Sequence, residues 1–145
     1  MTILDDLLAN PGLYLGIDTV SDSDRRGAAR LVMTVLPGGA GVSLDYEIFN
    51  PTMPEHVRGH VEHTVIARTD DGGVMMLIGH THAPTLTILR ETEPGTFDQG
   101  DEPAPYPMRV VVSMPGPGRL RHAWWYGPAG GEAVERDVSD LTRAD

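Results

Sequence analysis

Residues 61–84, VEHTVIARTDDGGVMMLIGHTHAP, hold the reading on which the fold turns. Two runs rich in β-branched and apolar residues flank Asp70-Asp71-Gly72-Gly73, the composition of a tight hairpin turn. With Asp71-Gly72 as the two turn residues, His63 faces His80 and Val61 faces His82. Directly opposed residues have Cβ atoms roughly 5 Å apart, and diagonal neighbours about 7–8 Å. Val61, Val65 and Ala67 share the phase of His63, and Val74, Met76 and Ile78 share that of His80 and His82. Alternation therefore puts three imidazoles on the apolar, inward face and sends His60, Glu62, Thr64 and Arg68 outward. A Glu62–His60 pair on that outer face is a poor acid–base dyad. A three-residue loop or a bulge would slip the register by one and separate His63 from His80.

The same grammar runs along the chain. Strands are expected over residues 12–20, 28–36, 42–49, 58–69, 74–82, 85–91, 108–114, 119–126 and 132–138, separated by PGGAG, DDGG, PGPG and GPAGG turns. Residues 2–9 read as one short helix, capped by Thr2, with Asp5 and Asp6 at its positive end and Ile3, Leu4, Leu7 and Leu8 on one face. No helix long enough for a parallel crossover follows. The pattern is all-β: a single domain over residues 1–145, an antiparallel up-and-down β-barrel in which residues 1–11 form a helical plug. The acidic, proline-rich residues 92–105 are expected to form a mobile surface loop.

Composition narrows the function. A formal charge of −10 repels phosphate backbones, which excludes nucleic acid as a natural partner. With no cysteine there is neither a disulfide framework nor a thiolate nucleophile. All eleven basic residues are arginine, which excludes mechanisms built on a lysine. MTILDDLLANPG carries aspartates where a signal peptide needs positive charge, and no stretch reaches the roughly 20 apolar residues of a membrane span. A soluble, cytoplasmic protein with no membrane partner is the expectation.

The helix-then-meander order is similar to that of the calycins, the lipocalin, fatty-acid-binding and nitrobindin-like barrels. GLYLGID resembles the G-x-W-x-G-x-G opening of the nitrobindin-like branch at Gly12, Tyr14 (in place of Trp) and Gly16, and departs from it at Asp18. The resemblance implies a closed lumen that holds one small ligand. In the nitrobindin-like branch it also implies haem, held by a histidine near the C-terminal strand. No histidine follows His122, which argues against haem here.

Candidate ligands to a metal or a small molecule come from the inward faces. His63, His80 and His82 could hold zinc or another divalent metal, with a fourth position open for water or substrate. The H-x-H strand resembles the first cupin signature, but Gly73 is one position off, Glu91 is too distant, and PGPGRLRHAWW lacks the second signature. Tyr46 shares its face with Val42, Leu44 and Ile48, and a ligand could partner its hydroxyl. In RLRHAWWYG, Leu120, His122, Trp124 and Tyr126 share one face, an aromatic wall suited to a planar ligand. Trp125 is left on the outer face, where it could serve a homodimer. Arg90 and Arg109 are exposed by default, with contact to an anionic ligand as the second reading. The leading function is non-covalent binding of a small, largely apolar or planar ligand in the lumen, through Tyr46, His63, His80, His82, His122, Trp124 and Tyr126. The alternative is a metal-dependent enzyme, cupin-like or three-histidine, built on His63, His80 and His82.

Overall fold

The computed structural model describes residues 2–21, 26–49, 58–100 and 106–144. A short helix α1 (Ile3–Leu8) precedes ten strands: β1 (Gly12–Val20), β2 (Arg26–Val35), β3 (Gly41–Phe49), β4 (Arg58–Arg68), β5 (Val74–His80), β6 (Thr87–Glu93), β7 (Thr96–Asp98), β8 (Met108–Gly116), β9 (Arg119–Tyr126) and β10 (Val134–Arg143). Each strand pairs antiparallel with the next, and β10 returns to β1, so the up-and-down sheet closes on itself. Closure leaves no free sheet edge.

Closure depends on close backbone approach between β1 and β10. A Cβ built on Gly16 would lie 1.8 Å from the Asp140 carbonyl oxygen, so only glycine fits there. β10 runs to Arg143, beyond residue 138, where alternation stops being legible. Its ladder to β9 on one side and to β1 on the other carries the polar stretch SDLTR as strand, with Leu141 turned into the core.

The structure corrects the reading of residues 92–105 as a loop. Within that segment Thr96–Asp98 forms β7, paired with β6 and β8, and Phe97 is fully buried. Gly95, at φ +83°, makes the turn into it. One buried aromatic and two ladders outweigh the acidic, proline-rich composition. Residues 101–105 lie outside the described residues.

The hairpin of β4 and β5 carries the second correction. The Thr69 N–H donates to the Gly73 carbonyl, so the loop is Asp70-Asp71-Gly72, three residues with Gly72 at φ +84°. The register slips by one: Glu62 faces His80 and His63 faces Gly79. A one-residue slip inverts a strand's faces. His60, Glu62, Thr64 and Ile66 turn inward, and His63 turns out beside Asp45, its side chain 79% exposed. β5 keeps the expected phase, with Val74, Met76 and Ile78 buried.

α1 plugs one end of the barrel, burying Ile3, Leu4 and Leu7 in the core. Thr2 makes no side-chain cap. Instead Glu91 of β6 accepts a hydrogen bond from the Ile3 N–H at 3.2 Å and one from the Gly95 N–H at 2.9 Å. Arg68 Nη2 reaches Asp5 at 2.8 Å, and the Tyr14 hydroxyl donates to the Asn10 carbonyl at 2.7 Å. These contacts fix α1 at the end where β4 finishes and β1 begins.

Candidate functional site

Among the described residues, the opposite end of the barrel carries no plug. There the last residues of β1, β3, β5 and β9 and the first of β2 and β4 surround a cavity of about 780 Å³. Its apolar wall includes Val20, Ile48, Tyr106, Trp124 and Tyr126. Its polar contacts divide by side. Asp18 and Asp137 stand on β1 and β10, and His60, His80 and His82 on β4, β5 and the turn after β5.

Beneath the imidazoles lies Glu62, whose side chain is wholly buried. Its Oε2 accepts from His60 Nε2 at 2.7 Å and from Trp124 Nε1 at 3.2 Å. Its Oε1 accepts from Thr64 Oγ1 at 3.2 Å and stands 3.4 Å from His122 Nε2. Burial opposes the charge, but the combined pull of His122 and His60 outweighs it and holds the carboxyl well below the usual carboxylate range. Glu62 is therefore an ionised group satisfied within the protein.

Asp18 behaves oppositely. Burial pushes its carboxyl up to about 6, against the hydrogen bond from Ser139 Oγ at 2.9 Å. Ser139 donates to Asp18 and so takes its own hydrogen bond from the Tyr46 hydroxyl, which gives a relay from β3 through β10 to β1. Burial first, then the charge of Asp18, raises the Tyr46 hydroxyl well above its ordinary value. The Tyr46 ring lies 4.9 Å from that of His122, between the two carboxylates.

Tyr46, His122 and Trp124 thus occupy the interior, as their strand phases predict, with Tyr126 at the cavity wall. Within the protein the Tyr46 hydroxyl is hydrogen-bonded to Ser139. Tyr126 donates to Asp137 Oδ2 at 3.2 Å. His80 and His82 line the cavity, their rings 6.1 Å apart, but His63 lies on the outer surface, so the triad of His63, His80 and His82 does not assemble. His60 takes its place: its ring lies 5.7 Å from His80 and 5.4 Å from His82. Among the described residues, no group of three or more His, Asp or Glu side chains is arranged to hold a metal ion. Arg109 and Arg90 point outward, to Asp98 at 2.6 Å and Asp71 at 3.9 Å. Trp125 lies outside, with the Arg109 guanidinium 5.9 Å from its ring centre.

Sequence reasoning missed Glu62, His60, Asp18, Thr64 and Ser139. One signal was available for the first two. Ile66 shares their phase and is the largest aliphatic side chain of β4. Compared with known proteins, the chain matches no family model, and no curated sequence is similar to it.

Proposed function

We propose that the protein binds a small, largely apolar, planar ligand non-covalently in the barrel lumen, in the manner of a calycin. The observation that carries this reading is the cavity of about 780 Å³ at the end opposite α1, walled by Trp124, Tyr126, Tyr106 and Ile48. Its volume lies in the range of drug-sized ligand pockets. Glu62, Asp18 and Tyr46 are already hydrogen-bonded within the protein, so a ligand need not neutralise a buried charge on entry.

A neutral planar fluorophore with no ionisable group tests the reading. Saturable, one-to-one quenching of tryptophan emission is expected. Trp124→Phe should remove most of that signal and Trp125→Phe should leave most of it, because only Trp124 faces the lumen. Identical behaviour of the two variants, or a signal that never saturates, would overturn lumen binding. The metal-dependent alternative has lost its geometric basis with the outward placement of His63.

A further inference from the structure

The cavity wall holds a base already oriented for proton transfer. An ionised carboxylate only accepts hydrogen bonds, so His60 Nε2 must carry the proton it shares with Glu62 Oε2 at 2.7 Å. In the neutral ring Nδ1 is then the lone-pair nitrogen, the one able to accept a proton. Glu62 is pinned in turn by the Trp124 and Thr64 donors, so it can fix both the tautomer and the orientation of His60. Beside it, His80 Nδ1 accepts from the His82 backbone N–H at 3.3 Å, which places the proton of neutral His80 on Nε2. That Nε2 is buried without a partner. Burial first, then His60 once that ring is protonated, holds His80 below the ordinary imidazole value, and it is therefore neutral and a donor near pH 7. Both rings line the cavity, and Trp124 lies 6.3 Å from one and 5.5 Å from the other.

We propose that the lumen is a proton-accepting site for a planar ligand with an acidic hydroxyl, a phenol or an enol, and that His60, oriented by Glu62, takes the hydroxyl proton while His80 Nε2–H holds the resulting oxyanion. The O–H bond breaks, its electron pair stays on the ligand oxygen, and a new N–H bond forms at His60 Nδ1. No oxidant or second substrate is needed. The bound state is a chain of alternating charge: Glu62 carboxylate, His60 imidazolium, ligand oxyanion. The groups facing His60 are compatible with it. Tyr46 on β3 and Trp124 on β9 are uncharged, and His82 is a further imidazole. Asp18 and Asp137, across the lumen on β1 and β10, are the described carboxylates of the cavity wall that oppose an anion. With the Asp18 carboxyl raised to about 6, its share of that opposition weakens on the acid side of neutrality.

This inference rests on the lumen-binding reading, and the test separates the two. 4-Nitrophenol absorbs differently as phenol and as phenolate, and 4-nitroanisole keeps the same planar nitroaryl ring with a methyl in place of the acidic proton. Below the solution pKa of the free phenol, the wild-type protein should bind it as the phenolate, with its apparent pKa lowered. His60→Gln should bind both probes equally, losing about ten- to a hundredfold in its preference for the phenol. Glu62→Gln should shift the same spectrum towards neutral phenol. The wild-type spectrum decides the matter even if a variant fails to fold. If both probes bind and the phenol stays neutral, the proton-accepting role is overturned and lumen binding stands. If neither binds, both readings fall.

Discussion

Asp18 and Glu62 are both carboxylates inside one barrel, yet their surroundings drive them in opposite directions, and this gives stability opposite dependences on pH. The folded pKa of Glu62 is depressed, so its contribution is fully present above the unfolded value of about 4.3 and is lost as pH falls through the folded value. Glu62→Gln should therefore cost roughly 1–3 kcal/mol at neutral pH, with the deficit shrinking below about pH 4. Asp18, raised to about 6, is the reverse. The unfolded chain gives up this proton near 3.9, so folding stability declines as pH rises from about 4 to about 6. Asp18→Asn cannot ionise and keeps an acceptor for Ser139. It should gain about 1–2 kcal/mol over wild type above pH 6, allowing for water reaching the residue from the cavity, and nothing near pH 4. Urea midpoints of the two variants between about pH 2.5 and 8 check both signs, and curves parallel to wild type over that whole range would show that neither carboxyl is perturbed.

Strands announce themselves by alternation, and their pairing is fixed by details that alternation does not carry. Gly16 illustrates the point for β1 and β10. Its Cβ would meet the Asp140 carbonyl at 1.8 Å, so Gly16→Ala must push the closing strands apart and should cost about 3 kcal/mol, the upper end for overpacking. A lowered denaturation midpoint at unchanged slope is the expected result, and a wild-type midpoint would mean that the seam relaxes freely. The hairpin of β4 and β5 shows where sequence reading failed. DDGG accommodates a two-residue turn or a three-residue turn with glycine in the left-handed position, and composition alone does not choose between them. The alternating pattern ought to have decided, because a slip inverts the faces. In β4 both faces are mixed: Val61, Val65 and Ala67 on one, Thr64 and Ile66 with a buried carboxylate and imidazole on the other. A strand that carries a polar site inward looks inside out. The same residues that make the site hid it. By contrast β3 and β9 carry clean apolar inward faces, and Tyr46, His122 and Trp124 were legible from phase alone. Ser139 gave no signal, and Asp18 showed only as the departure from the glycine motif, since a lone polar residue near a strand end reads as surface until its partner across the lumen is known.

On the scale of the whole molecule the barrel divides into a half sealed by α1 and, among the described residues, an open half. α1 packs Ile3, Leu4 and Leu7 into one mouth, while the cavity, the imidazoles and the carboxylate relay lie towards the other. The two halves do different work: the plugged half supplies burial, and the open half gives some of it up to polar groups and empty volume. Stability and binding should therefore be separable by mutation. Leu7→Ala removes a fully buried side chain at the plug and should cost about 2–5 kcal/mol, the range for such truncations. The lumen wall at the far mouth is untouched, so affinity for a neutral planar probe should stay within a fewfold of wild type at temperatures where the variant is folded. Trp124→Ala should do the converse to binding. It removes the aromatic wall and one of the donors on Glu62, abolishing probe binding. Denaturation midpoints and probe titrations on the two variants form a two-by-two comparison. Loss of probe affinity in Leu7→Ala, with the protein still folded, would show that the plug holds the lumen in shape, and the barrel would then have to be treated as one cooperative body.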